Sequence, residues 1–251
     1  MKATIRCIYD EGAEVGTSFI GAKGFSLLVD ADGKRMLFDV GRRGRYLMHN
    51  LSQADVEPDS VDLIAISCGQ KDHTGGLAGF LRERAAPIDI YAPASAKGMK
   101  SMLGTKGMHI PEEGAGKAVL HEVNGWVKIT DHVHMSPPLA SGGSDECFLV
   151  VDAAKGPAVL SARSGFGVEN AVAEVRGRFD NSPITYVGGA FIGKRDNAKA
   201  DAVAKAFSDA ACTDLHLNHC TGVQGMSMLR AILGLDGVKD FYAGASIELD
   251  L

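Results

Sequence analysis

The stretch Ser67-Cys68-Gly69-Gln70-Lys71-Asp72-His73-Thr74-Gly75-Gly76-Leu77 sets a thiol, a side-chain amide, a carboxylate and an imidazole within six residues. A carboxylate and an imidazole side by side are ligands suited to zinc, iron or manganese. A thiolate is a soft ligand or a nucleophile, provided its pKa is low enough. Each residue also has a plainer role. Asp72 can serve as a carboxylate at a helix N-terminus, where the dipole favours negative charge. His73 can be a buried histidine bonded to backbone, Cys68 a small core residue, and Gln70 a loop hydrogen-bonder.

What positions the stretch is legible around it. Val61 to Ile66 is an apolar run that reads as a buried strand, and Leu77, Phe80 and Leu81 fall at helical spacing. A loop at the C-terminal end of a strand is where an α/β protein usually places its site. Upstream, residues 2–9 alternate as a strand. Gly24 to Val29 and Arg35 to Asp39 flank Asp32-Gly33, a hairpin signal because glycine accepts the positive φ of the turn. A helix is expected over 45–50. Downstream, Pro87 to Ala92 reads as a strand, and 96–116 as an irregular segment and candidate lid. Asn124-Gly125 within 118–130 predicts a second hairpin, and Lys155-Gly156 between Phe148–Asp152 and Ala158–Ser161 a third. Helical periodicity covers 168–179, 195–211 with Asp196 or Asn197 as cap, and 222–233. Short strands are expected at 184–187 and 215–219, and a final one at 239–242.

Hairpins followed by strand-loop-helix units, with that order repeated after about residue 146, predict an α/β protein. The expected architecture is a four-layer αβ/βα sandwich: two mixed sheets with helices outside. The 251 residues suit one domain, 1–251, with pseudo-halves of about 1–145 and 146–251.

Composition narrows the function classes. The chain is 45% hydrophobic, carries a formal charge of −5 and has a sequence pI near 5.9. No basic cluster is present, so nucleic acid is not an expected partner. No apolar run reaches the ~18 residues of a membrane helix, and the charged residues near the N-terminus do not make a signal peptide. Five scattered cysteines without a CxxC predict free thiols in a reducing cytoplasm. The expected partner is a small-molecule substrate or ligand, with homo-oligomerisation left open.

The frame Ser-x-x-x-x-Asp-His-x-Gly-Gly-Leu after an Ile/Ala strand resembles the metal loop of the metallo-β-lactamase superfamily, Ser-His-x-His-x-Asp-His. Further stretches resemble its branch of dihydropterin ribofuranosylaminobenzene 5′-phosphate synthase-like proteins. These are Gly24 to Val29, Leu37-Phe38-Asp39-Val40-Gly41, Ser161 to Val168 with Asn170, Tyr186 to Ile192, and Asn218-His219-Cys220-Thr221-Gly222. The resemblance implies the αβ/βα sandwich and a site for two metals, and it departs from this chain at the first of them. Cys68, Gln70 and Gly165 stand where family histidines would ligate that metal, and Phe191 where another histidine stands. The second set, Asp72, His73 and His219, is complete.

The resemblance therefore implies one divalent metal at most, zinc first, then iron or manganese, or none. Asp72, His73 and His219 would be its ligands, with Asp72 also orienting a water. Cys68 is a conceivable extra ligand and Asp39 a group behind the ligands that orients them. Arg163, in the place of a family cysteine, would supply a guanidinium for an anion. The activity implied is a metal-dependent hydrolase or related transferase. The alternative is a non-catalytic member that binds a small anionic or pterin-like ligand, and a third reading makes Cys68 a redox or nucleophilic thiol. His132 and His134 read as a solvated strand face. Lys71, Lys194 and Arg195 read as surface charge, and Cys220 as packing.

Overall fold

Alternation along each strand sends successive side chains to opposite faces, and here both faces are buried. Leu27 and Val29 enter one cluster while Leu28, between them, enters another; Leu149 and Val151 split from Phe148 and Val150 in the same way. Such strands need cover on both sides, and the chain supplies it. The computed structural model describes residues 1–101, 104–142, 144–180 and 182–251, with the side chains of 99–106 left out.

The first seven-stranded sheet has the order Ser246–Asp250, Lys2–Tyr9, Ser26–Ala31, Lys34–Phe38, Leu63–Ala65, Ile88–Pro93, Ala118–Val123. The second runs Val238–Asp240, Cys212–Leu217, Ile184–Gly188, Gly156–Ser161, Leu149–Ala153, Val133–Met135, Val127–Lys128. Ile5, Leu27, Met36 and Phe38 from one sheet meet Val133, Met135, Leu149 and Leu160 from the other in a core between them. The helices Gly44–Gln53 and Leu77–Glu83 bury Leu47, Leu51, Phe80 and Leu81 on the outer face of the first sheet. Val168–Arg176, Asn197–Asp209 and Gly222–Leu233 cover the second with Val175, Val203, Phe207 and Leu229. The result is the expected α/β sandwich, helix–sheet–sheet–helix.

Asp32-Gly33 makes the expected tight turn, with φ of 54° and 72° and Ala31 paired to Lys34. The third hairpin forms as well, with Leu149 opposite Leu160. Asp196 caps the helix Asn197–Asp209, its carboxylate accepting from the Lys199 amide at 3.0 Å.

Three expectations are corrected. Asn124-Gly125 is not a hairpin turn: Ala118–Val123 pairs in parallel with Ile88–Pro93, while Val127–Lys128 pairs with Val133–Met135 in the other sheet. The turn carries the chain from one sheet to the next, and local turn chemistry cannot say which strand lies beside each flank. The strand expected at 239–242 forms as Val238–Asp240 but is not the last: Ser246–Asp250 follows it and pairs antiparallel with Lys2–Tyr9. As an edge strand it alternates exposed and half-buried residues, so it has no apolar run to reveal it. The segment 96–116 holds regular pieces: a short antiparallel pair, Met99–Ser101 with Gly104–Lys106, and a 3-10 turn at Glu112–Lys117. Its residues 102 and 103 lie outside the described ones.

Candidate functional site

The loops that follow Lys2–Tyr9, Lys34–Phe38, Leu63–Ala65, Gly156–Ser161, Ile184–Gly188 and Cys212–Leu217 open at the same end of the two sheets. Every residue singled out for chemistry lies on one of them.

Asp39 is the anchor. It is fully buried, in the left-handed region at φ 63°. Its carboxylate accepts the Ser67 amide and the Ser67 hydroxyl, each at 2.7 Å, and meets His73 Nδ1 at 2.8 Å. This fixes the imidazole and turns Nε2 the other way. His73 Nε2 is buried and has no partner among the described residues. Burial opposes a positive charge on His73, but the adjacent Asp39 outweighs it and raises the pKa, with Glu146 and Asp72 adding to the pull.

Backbone contacts lock the loop. The Phe25 amide donates to Asp72 O, the Val40 amide to His73 O and the Gly76 amide to Gly41 O. Gly75 and Gly76 are glycines for a stated reason: a Cβ on either would run into the carbonyl oxygen of Arg42 or Val40. The pair lets the start of Leu77–Glu83 press against the Asp39 loop.

His219 comes from the other sheet. Its amide donates to Asp10 Oδ1 at 2.9 Å, and its Nδ1 meets Glu11 Oε2 at 3.0 Å. Its side chain is 2% exposed, and Nε2 again is buried without a partner among the described residues. The rings of His73 and His219 lie 5.3 Å apart at 87°, with Phe25 against both. Asp72 is turned elsewhere: one oxygen pairs with Arg42 and the other lies 3.5 Å from Lys23 Nζ. Burial would raise its pKa, but the Arg42 hydrogen bond and then Lys23 hold it below the usual carboxylate value. Among the described residues, the group of three donors lying within 4.8 Å of one another is Asp10, Glu11 and His219, and not Asp72, His73 and His219.

The space beside Gly165 is filled. A Cβ on Gly165 would strike Ser141 Oγ and Arg163 Nη2, so the guanidinium occupies the direction a side chain at 165 would take. Arg163 Nη2 donates to Ser141 Oγ at 2.6 Å and reaches Glu146 Oε2 at 3.4 Å. Glu146 is fully buried and also accepts the Gly165 amide at 3.1 Å. Phe191, at φ 48°, lays its ring 4.7 Å from the guanidinium carbon. Arg163 is thus charge-paired inside the wall of the site.

Cys68 is buried, and its thiol is pushed up to about 12 by burial and then by Asp39 and Glu146. It stays protonated at neutral pH, which removes the reading of Cys68 as a redox or nucleophilic thiol. Gln70 acts through its carbonyl, which accepts the amides of His73 and Thr74. Cys220 is likewise held protonated by burial and then by Glu11. His134 is buried against Phe179, while His132 pairs with Asp32 at 2.7 Å. The solvated face expected for these two histidines is therefore corrected. Opposing strands and Phe179 from a distant helix end cover it.

Sequence reasoning did not single out Asp10, Glu11, Ser141 or Glu146. Asp10-Glu11 carried the one usable signal, a carboxylate pair closing the first strand. Glu146 reads locally as an ordinary polar residue of a short strand, and only its fold position buries it.

Two mixed sheets faced by helices, with histidine-bearing loops at one edge, define an α/β sandwich of the metallohydrolase type. Residues 21–201 match the model of the metallo-beta-lactamase superfamily. The chain belongs to that superfamily. Among curated proteins it is 23% identical to the 7,8-dihydropterin-6-methyl-4-(beta-D-ribofuranosyl)-aminobenzene-5'-phosphate synthase of Methanocaldococcus jannaschii, over 89% of each chain. It is 34% identical to a ribonuclease Z of Pyrobaculum islandicum over 99 residues, 38% of this chain and 33% of that one. Among solved structures, Tm1679, a metal-dependent hydrolase of the beta-lactamase superfamily, superposes with a TM-score of 0.80 at 23% identity, covering 99% of this chain and 100% of that one. YhfI from Bacillus subtilis, a metallo-beta-lactamase fold protein, gives 0.71 at 11% identity over 99% and 100%.

Proposed function

We propose that this chain is a metal-dependent hydrolase that works with a single divalent ion, zinc first among the candidates, on a small anionic substrate. One observation carries the reading. His73 and His219 each have Nδ1 held by a carboxylate and a buried, unpartnered Nε2. A carboxylate behind an imidazole whose far nitrogen is free is the arrangement found around metal-bound histidines. A buried nitrogen left without a partner needs an explanation, and a ligand is one.

His73 and His219 would hold the ion; Asp72, turned to Arg42 and Lys23, would become a third donor only by leaving Arg42. When bound, such an ion supplies Lewis acidity and lowers the pKa of water toward neutrality. The chain's own groups do the rest. Asp39 and Ser67 keep His73 in place. Arg42 and Lys23 keep Asp72 ionised and add positive charge on the side where an anionic substrate would approach. Phe25 packs both imidazoles and limits water around them. The resemblance puts a ligand of the family's first metal at position 165, and the Arg163–Glu146 pair fills the space beside Gly165, which supports one ion and not two.

Elemental mass spectrometry on tag-free protein purified without chelator tests this, beside a His73→Ala/His219→Ala control. The expected result is one divalent ion per chain, lost in the control, with turnover of an ester, phosphoester or lactone. No uptake after incubation with zinc, manganese or iron would overturn the reading.

A further inference from the structure

We infer that Glu11 is a positioning residue for His219, fixing the imidazole tautomer so that the buried Nε2 carries the lone pair. This rests on the reading above in one respect only, that Nε2 is the atom a metal would use.

Two unrelated loops share one arrangement. His73 has Asp39 at 2.8 Å from Nδ1, and His219 has Glu11 at 3.0 Å from Nδ1. A carboxylate accepts and does not donate, so the ring nitrogen facing it carries the proton. In neutral imidazole the other nitrogen then has the lone pair. The turn that carries Glu11 is held beside His219. Asp10 is buried, and its two oxygens accept the amides of His219 and Gly12, the residues on either side of the contact. One carboxylate thereby ties the loop carrying His219 to the turn carrying Glu11. His219 itself sits at φ 47°, a left-handed conformation that aims its side chain back across the first strand.

A rival reading makes Asp10, Glu11 and His219 a cation site of their own. The hydrogen bonds argue against it. Nδ1 would have to give up its proton and its partner, and both Asp10 oxygens already hold amides. The amino end of Gly222–Leu233, with its positive dipole end, also starts just beyond His219.

The test reads the tautomer directly in metal-free protein by 15N chemical shifts of the His219 ring, in wild type, Glu11→Ala and Glu11→Gln. Wild type is expected to show a protonated Nδ1 and a bare Nε2. Glu11→Ala should move toward a tautomer mixture. Glu11→Gln, whose amide oxygen still accepts from Nδ1, should restore the wild-type pattern. Zinc affinity, measured by competition with a chromophoric chelator, should fall roughly 10- to 100-fold in Glu11→Ala and be largely kept in Glu11→Gln. An unchanged His219 tautomer in Glu11→Ala overturns the inference. A tautomer that shifts as expected in a protein that never takes up zinc upholds the positioning role and sinks the metal reading instead.

Discussion

Arg163→Met should be among the most damaging substitutions in this chain, and the reason is Glu146. That carboxylate is fully buried, with Arg163 11% exposed and 3.4 Å away. Besides the guanidinium, the Gly165 amide is its hydrogen-bond donor. Methionine keeps the volume and removes the charge, leaving a carboxylate in a low-dielectric wall with one amide for company. Losing one partner of a buried pair costs about 3–5 kcal/mol, against a total stability of about 5–15 kcal/mol for a domain. Glu146→Gln removes the opposite charge and should cost less, because Ser141 and Phe191 still contact the guanidinium. The double variant should lie well short of the sum, with a coupling of roughly 2–3 kcal/mol. Urea unfolding of the four proteins measures this. Additive effects, or a loss under about 1 kcal/mol for Arg163→Met, would refute the claim that Arg163 and Glu146 form a coupled buried charge pair. Gly165→His carries the same logic. The new side chain needs the volume the guanidinium holds, so it should expel Arg163 and destabilise by a comparable amount.

Two further outcomes follow from the geometry. Asp32 joins the first hairpin to the second sheet through Thr130 Oγ1, the His132 amide and His132 Nδ1, all within 2.8 Å. Burial would raise its pKa, yet the Thr130 and then the His132 hydrogen bonds lower it below 3.8. Its contribution is therefore complete above that value and is lost as pH falls through the folded-state pKa. Asp32→Asn, which suits the left-handed φ, should cost about 2 kcal/mol at pH 7 in chemical denaturation, with the gap to wild type closing on acidification; a gap that widens would contradict it. Iodoacetamide at pH 8 should spare Cys68 in folded protein and label it in urea, as read by peptide mass mapping. Labelling of folded protein at the rate of a free thiol would show that Cys68 is neither buried nor held protonated.

Much of the site was legible because its residues are local to one loop. Cys68 to His73 and the two glycines sit in one stretch, and His219-Cys220-Thr221-Gly222 in another, so type and order suffice to mark them. The absent histidines were legible for the same reason, since Gly165 can offer no donor whatever its surroundings. What fills the gap was not. Glu146 and Ser141 lie on a short strand pair whose side chains meet Arg163 only because that pair folds beside Gly156–Ser161. Glu11 is 208 positions from the histidine it holds.

By itself, the order of apolar runs, turn residues and caps determined the sandwich, because alternation and periodicity act over a few residues and mark which faces must be covered. It also marked the loop after Leu63–Ala65 as the place of a candidate site. The tertiary structure alone decided the rest. It decided that Asn124-Gly125 crosses between sheets, and that a polar terminal strand closes the first one. It turned Asp72 toward Arg42 and Lys23, and set a buried Arg163–Glu146 pair beside Gly165. Electrostatic and hydrogen-bond partners are chosen by distance in space, and no pattern along the chain encodes a contact between strands that meet only after the two sheets have packed.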